Sequence, residues 1–477
     1  MSGRLVGQVR GLLDDAVVAY DGRVQAAKLT EVRTQLDGPL RVAFAGRLKA
    51  GKSTLLNALV GEPLAATDAT ECTRVVTWYV SGPATRAWAH PIGEPARQLP
   101  FNRSGGQTRI DLGSLAPEQL DHLVVETPNS RLRQMSLVDT PGLASSSTAV
   151  SARTQALLVE GGSGVDAVLY LMRHVHTADV GFLQSFHDEA FAGTPPVNAI
   201  GVLSRADEMA GGTANALDVA ATIAERYSAD ARVRELVQNV VPVSGLLALA
   251  AVQLSEADYA ALAALAGAPP SALLSADRFL RAKLSVPLDV RRALLDGFGL
   301  FGIRHSVGLI RLGRAPDAAT LAAALQAECG LERLRTLLVQ RFVGRAEVLK
   351  AESALRVLEA MLDQAPVPAA ESLRGRVDAV VAGAHELTEL RMLTALRIGT
   401  VELDDANQSA EVERLLGAEG DGVRARLGVG SEVPDTEIRP LLIATMHRWQ
   451  RIAQNPFAGS GIRRVAAVIR RTCEGML

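Results

Sequence analysis

The stretch Leu40-Arg-Val-Ala-Phe-Ala-Gly46-Arg-Leu-Lys49-Ala50-Gly51-Lys52-Ser53-Thr54-Leu-Leu-Asn-Ala-Leu-Val60 decides the fold. Its apolar first half reads as a buried strand and its last eight residues as a helix. Between them lies G-x-x-x-x-G-K-[ST], from Gly46 to Ser53. Glycines at both ends let the backbone curl around an anion. The loop amides and the helix N-terminus then face the phosphates. Lys52 reaches the terminal phosphates and Ser53 is the type of ligand that Mg²⁺ takes in such a loop.

Outward from this loop, short apolar runs alternate with helical patterns up to about residue 250. The runs are 75–80, 135–138, 165–172, 199–203 and 240–243. Such alternation predicts a mostly parallel, doubly wound sheet. Segment 81–113, rich in Gly, Pro and Arg, reads as an insertion of loops and short strands. Past residue 250 the strand signals stop. Apolar residues at helical spacing predict an all-helical region, including one long helix over 331–362 that ends at Pro366-Val367-Pro368. Residues 3–36 have the same periodicity and read as a helix folding back onto the C-terminal helices. The chain thus divides into 1–38, an α/β head over 39–255, and a helical neck and trunk over 256–477.

Three further motifs follow three further strands. Asp139-Thr140-Pro141-Gly142 places a carboxylate where it can hold Mg²⁺ and a glycine amide where it can face a γ-phosphate. Ser204-Arg205-Ala206-Asp207 resembles [NT]-K-x-D: a carboxylate at Asp207 can accept from guanine N1–H and N2–H, donors that adenine does not offer. Arg205 stands where lysine is usual, and its guanidinium plane can cover a base. Ser244-Gly245 occupies the place of a weaker fifth motif. Between Ser53 and Asp139, Thr73 is the favoured switch threonine, with Thr67, Thr70 and Thr77 as competitors. The candidate nucleotide-binding set is Gly46, Lys49, Ala50, Gly51, Lys52, Ser53, Thr54, Gly142, Ser204, Arg205, Asp207, Ser244 and Gly245. The candidate metal ligands are Ser53, Thr73 and Asp139, and the candidate catalytic groups are Lys52, Thr73 and Lys49.

Composition narrows the choice. The 477 residues suggest two to four domains, at roughly 100–200 residues each. Fifty basic residues against 52 acidic ones, with 4% aromatics, argue against a bulk nucleic-acid binder. Three widely spaced cysteines give no disulfide framework or zinc pattern. The N-terminus has no signal-peptide pattern, and no uninterrupted apolar run reaches the about 18–20 residues of a membrane span. The expectation is a cytoplasmic chain, at most peripheral on the inner face of the cell membrane. Five of the basic residues are lysine, and two of those, Lys49 and Lys52, share one loop.

The order of these motifs, the long Ser53–Asp139 spacing and the helical second half resemble a bacterial dynamin-like GTPase. Leu48-Lys-Ala-Gly-Lys-Ser-Thr-Leu, Thr67-Asp-Ala-Thr-Glu, Val241-Pro-Val-Ser-Gly-Leu-Leu-Ala-Leu, Phe298-Gly-Leu-Phe-Gly-Ile-Arg and Glu389-Leu-Arg-Met-Leu carry the likeness to mycobacterial members. The resemblance implies an α/β P-loop GTPase head on a helical neck and trunk, GTP as substrate with Mg²⁺, and GDP as product. It also implies head-to-head dimerisation or a dynamin-like hetero-partner, and action at membranes. Two rival functions are a GTP-operated scaffold with little hydrolysis and an RNA-associated GTPase, the latter disfavoured by composition.

Two departures bear on chemistry. Leu48 and Lys49 stand where dynamin-type loops carry polar residues, and Leu143 stands where small GTPases place glutamine. Slow basal turnover follows, with Lys49 as a candidate catalytic cation. For lipid contact, two stretches stand out: Gly297–Ile303 with its flanking arginines, and the pairs Arg463-Arg464 and Arg470-Arg471. The first reads more readily as a core packing motif, the second as a solvated or salt-bridged face.

Overall fold

The computed structural model describes residues 2–46, 49–65, 75–104, 107–141, 165–173, 198–403 and 406–477. The head is built on β1 (Leu40–Gly46), β2 (Thr77–Ser81), β3 (Arg86–Pro91), β4 (Arg97–Leu99), β7 (Leu120–Thr127), β8 (Met135–Asp139), β9 (Ala167–Met172), β10 (Ala199–Ser204) and β11 (Val240–Val243). They form a nine-stranded sheet in the order β11-β10-β9-β1-β8-β2-β7-β3-β4. β5 (Phe101–Ser104) and β6 (Gln107–Ile110) make a separate hairpin. From β11 to β8 every pairing is parallel. Strands β9 and β10 are buried at every residue, as befits a parallel sheet covered on both faces. The strands on the far side of β8 change this pattern: β2 runs antiparallel to β8, and β3 antiparallel to both β7 and β4. The insertion therefore extends the sheet at one edge. β1 lies between β8 and β9, and chain connections leave it in opposite directions, which opens a crevice at its C-terminal end.

The helices are α1 (Ser2–Ala19), α2 (Val24–Gln35), α3 (Lys52–Val60), α4 (Ala216–Ala229), α5 (Ala231–Arg234), α6 (Gly245–Gln253), α7 (Glu256–Leu265), α8 (Ala276–Arg281), α9 (Leu288–Arg311), α10 (Ala318–Glu328), α11 (Leu331–Arg341), α12 (Ala346–Gln364), α13 (Ala370–Gly383), α14 (His385–Arg397), α15 (Ala406–Leu415), α16 (Val423–Leu427), α17 (Asp435–Gln454) and α18 (Ser460–Met476). Two helices expected as continuous are broken. Residues 3–36 split at Tyr20–Arg23, where Gly22 takes φ +76° and the Tyr20 hydroxyl donates to the Met361 and Ala365 carbonyls. The 331–362 helix breaks at Phe342–Arg345, where Arg345 turns to Asp421 and the carbonyls of Leu416 and Gly417. In both places a side chain bonded across the fold sets the break, which apolar spacing does not register.

α1 packs against α12 and α13. The Lys350 ammonium on α12 donates to the Leu36 and Gly38 carbonyls at 2.7 and 3.0 Å, tying the end of α2 to the helical body. Head and body also meet through Arg341, which donates to Gln238 at 2.8 Å and to Asn239. Glu413 lies between Arg234 of the head and buried Arg397 of α14. Gly330 takes φ +81°, and a Cβ there would lie 2.1 Å from the Pro242 carbonyl oxygen, so the turn before α11 sits hard against β11.

α9 has the length and composition to cross a membrane, although the sequence shows no uninterrupted apolar run. It kinks at Gly299, and Phe298, Phe301 and Ile303 are buried in the core against α6 and α7. The insertion reading of Gly297–Ile303 therefore fails: this face is already covered by protein.

Candidate nucleotide site

Gly46 ends β1 with φ +145°, and a Cβ there would meet the Leu171 carbonyl oxygen at 2.5 Å, so strand β9 permits only glycine. Gly51 caps α3 with φ +92°. Between them Lys49 takes φ +62°, a left-handed conformation that costs a non-glycine residue about 1–2 kcal/mol. Its side chain is exposed while Ala50 is buried. Such strain concentrates at functional loops.

The Lys52 ammonium is buried and donates to the Gly46 carbonyl at 3.1 Å. Burial pushes its pKa down, and the nearby Asp139 carboxylate opposes that shift. Ser53 donates to Asp139 Oδ2 at 2.7 Å. Asp139 Oδ1 is buried and accepts no hydrogen bond among the described residues. Burial pushes the Asp139 pKa up, against the pull of Lys52 and Ser53. A hydroxyl and a carboxylate with a spare buried oxygen form a hard-oxygen pair, and Mg²⁺ fits that donor set. The neighbouring Thr140 hydroxyl is committed to the Phe44 carbonyl at 2.7 Å, which fixes the strand end.

On the other side of the crevice, Ser204 donates to the Met172 carbonyl at 2.8 Å and so fastens β10 to β9. Arg205 has φ +55° and donates to the Lys49 carbonyl at 3.0 Å and to Glu208 at 2.5 Å. Glu208 also receives Arg173 at 2.9 Å. Burial alone would raise the Glu208 pKa, but the two arginines outweigh it and lower it. Ser244 accepts from the Leu247 amide and caps α6. Gly245 faces the start of α3: a Cβ there would lie 3.5 Å from Thr54 Cγ2.

These segments enclose one cavity, lined by Gly51, Thr54, Ser204, Arg205, Asp207 and Gly245 with Ala50, Leu55, Val202, Glu208, Val243 and Leu246. Three loops from separate strands thus converge, with a carboxylate at one end and the phosphate loop at the other. Sequence reading missed Glu208, Arg173 and Leu246. Glu208 had a local signal, since it lies three residues from Arg205. Arg173 and Leu246 gave none, because only the sheet brings them here. Thr77 is buried and donates to the carbonyl of Val75, two residues before it. Thr73, Thr67, Thr70, Gly142, Leu48 and Leu143 lie outside the described residues.

Fold and site together define a dynamin-type GTPase head carried on a helical body. Residues 42–203 match the model of the dynamin family. The isoniazid-induced protein IniC of Mycobacterium tuberculosis is 39% identical over 485 residues, covering 98% of each chain. A bacterial dynamin-like protein of Nostoc punctiforme is 35% identical over 117 residues, 22% of this chain and 17% of that protein. Among solved structures, an oligomerised bacterial dynamin pair, described as a mechanism for long-range sensing and tethering of membranes, covers 100% of this chain and 79% of its own, at 13% identity and a TM-score of 0.31. The chain belongs to the bacterial dynamin-like family, alongside IniC.

Proposed function

We propose that this chain binds GTP in the crevice between the phosphate loop and the Ser204–Asp207 segment, hydrolyses it, and uses the cycle to drive assembly at a membrane. The observation that carries this reading is the cavity in which Gly51, Thr54, Arg205, Asp207 and Gly245 converge. Asp207 selects guanine by accepting two of its N–H groups, and Arg205 covers one face of the base. The Gly46–Ser53 amides and Lys52 hold the phosphates. Gly142 supplies an amide to the γ-phosphate, and Ser53, Asp139 and Thr73 hold Mg²⁺. Bound Mg²⁺ neutralises charge on the β- and γ-phosphate oxygens. Lys49, exposed at the loop crest, adds positive charge where the transition state gathers negative charge, in its own head or across a head-to-head dimer.

In this reading residues 39–255 are the motor, and 1–38 with 256–477 are the neck and trunk that move with it. The chain works as a homodimer through its heads or beside a dynamin-like partner, and lies peripherally on the inner face of the cell membrane. GTP turnover measured against protein concentration, with and without anionic liposomes, tests this. Turnover per chain that rises with concentration supports a coupled motor. Turnover that stays flat in both series favours a scaffold that uses GTP only as an assembly switch.

A further inference from the structure

From Ile438 to Cys473 the sequence contains seven arginines and no aspartate, glutamate or lysine. The rest of the chain carries 43 basic against 52 acidic residues, so one segment concentrates the positive charge of an acidic protein. The structure folds this segment into the α17–α18 hairpin. Its inner face is firmly seated: Leu442, Trp449, Val465, Ala466, Ile469 and Cys473 are buried. Its tip, Asn455–Gly459, projects from that base. Asn455 Oδ1 accepts from the Phe457 amide at 3.0 Å, and the Ala458 amide returns to the Asn455 carbonyl at 3.2 Å, so the turn is built rather than loose. At its crest Phe457 is 96% exposed.

Three exposed arginines flank that ring: Arg451 one turn before the tip, and Arg463 and Arg464 in the first turn after it. None of the three has an ion-pair partner among the described residues, whereas Arg448 is paired with Glu411 and Arg470 with Glu474. Among the described residues Glu402 is the acidic residue placed near this tip, since Gly461 lies against Val401 and the Glu402 carbonyl; Asp404 and Asp405 lie outside the described residues. An apolar ring on a fixed crest, collared by guanidinium groups that have no ion pair among the described residues, matches the boundary between anionic headgroups and acyl chains. The far end of the helical body differs. Val18 and Val24 are exposed at 75% and 83% at the α1–α2 turn, but the arginines Arg33, Arg374 and Arg376 at that end are paired with Asp14, Asp363 and Asp15.

We propose that the α17–α18 tip is a membrane-contact element, with Phe457 entering the acyl boundary and Arg451, Arg463 and Arg464 holding anionic headgroups. The inference rests on the membrane part of the function proposed above and names the segment that performs it.

The test is co-sedimentation of the full chain with vesicles of phosphatidylcholine alone and of phosphatidylcholine mixed with phosphatidylglycerol. The wild-type chain binds the anionic vesicles. Phe457→Glu lowers the partition coefficient about tenfold or more, and each charge reversal at Arg451, Arg463 or Arg464 lowers it about thirtyfold. A Val18→Glu/Val24→Glu variant binds as wild type. Basal GTP turnover and circular dichroism, unchanged in every variant, establish that the chain is folded. If wild type binds and Phe457→Glu binds equally well, the tip assignment is wrong while the membrane reading stands. If wild type binds neither vesicle, both are wrong. If the hairpin instead binds RNA, in a way that the arginine reversals abolish and Phe457→Glu does not, it is a nucleic-acid face and the assignment fails.

Discussion

Arg205 Nη2 donates a 3.0 Å hydrogen bond to the carbonyl of Lys49, and both residues hold left-handed backbone, with φ +55° and +62°. The guanine-facing loop is therefore braced against the crest of the phosphate loop. Two strained residues hold each other in place, so base recognition and the position of Lys49 are mechanically one unit. The arginine also explains why the usual lysine is dispensable here: its fork reaches the Lys49 carbonyl and Glu208 together.

That brace predicts the behaviour of Arg205→Ala. Losing a charged donor costs on the order of 1.5–3 kcal/mol, so GTP affinity should fall roughly 10- to 100-fold. Arg205→Lys, with one ammonium in place of a fork, should recover part of it. Titration with a fluorescent GTP analogue measures both. Equal affinity in wild type and Arg205→Ala would show the brace to be irrelevant to binding.

Lys49→Ala separates binding from chemistry. The backbone carbonyl that Arg205 uses survives the substitution, so GTP affinity should change little. Turnover should drop about a hundredfold or more if the ammonium stabilises developing charge. Single-turnover rates at saturating GTP give the answer, and an unchanged rate would remove Lys49 from the catalytic set.

Asp207→Asn replaces an acceptor pair with one acceptor and one donor. It should weaken GTP by on the order of a hundredfold and shift preference toward xanthosine triphosphate, whose base offers an oxygen where guanine offers N2–H. Competition between the two nucleotides tests this. Retained GTP preference would place the base elsewhere.

Glu389, buried in the body, predicts a specific acid sensitivity. Burial alone would raise its pKa, but hydrogen bonds from His385, Arg426 and Thr472 and the Arg426 charge bring it from an ordinary 4.5 to about 2. The carboxylate accepts both Arg426 nitrogens, at 2.9 and 3.0 Å. A depressed folded-state pKa means that the stabilisation is complete above pH 4.5 and is lost as pH falls from there toward 2. The amount is about 3 kcal/mol. Urea unfolding across that window should show a steeper loss in wild type than in Glu389→Gln. Parallel curves would mean that the cluster does not set acid stability.

Glu413 is the hinge of another prediction. It pairs with Arg397 at 2.9 Å and with Arg234, joining body to head. Glu413→Ala leaves a buried guanidinium without its carboxylate and should cost about 3 kcal/mol of unfolding free energy. A loss below about 1 kcal/mol would mean that this ion pair adds little to the joint between head and body.

The head was legible because each of its motifs is local. Gly46–Ser53, Asp139 and Ser204–Asp207 each lie at the end of an apolar run, and the parallel pairing, though not the strand order, follows from alternation. The antiparallel edge was not, since pairing partners such as Thr77 and Asp139 are 62 residues apart and no local pattern fixes their direction. The breaks at Tyr20–Arg23 and Phe342–Arg345 depend on bonds to distant carbonyls, so helical spacing ran through them. The glycines of Gly297–Ile303 read as permitting close packing, but the sequence did not say against what. The partner is Leu246, 3.0 Å from where a Cβ on Gly299 would stand, and Leu246 also lines the nucleotide cavity.

The central claim is that this head turns over GTP at the site where the phosphate loop and Asp207 converge. Its most direct test is the GTP hydrolysis rate with and without Mg²⁺, in wild type and Lys52→Ala, with ATP as the control nucleotide. The prediction is Mg²⁺-dependent turnover of GTP over ATP that Lys52→Ala abolishes. Equal hydrolysis of ATP and GTP, or turnover unaffected by Lys52→Ala, would contradict it.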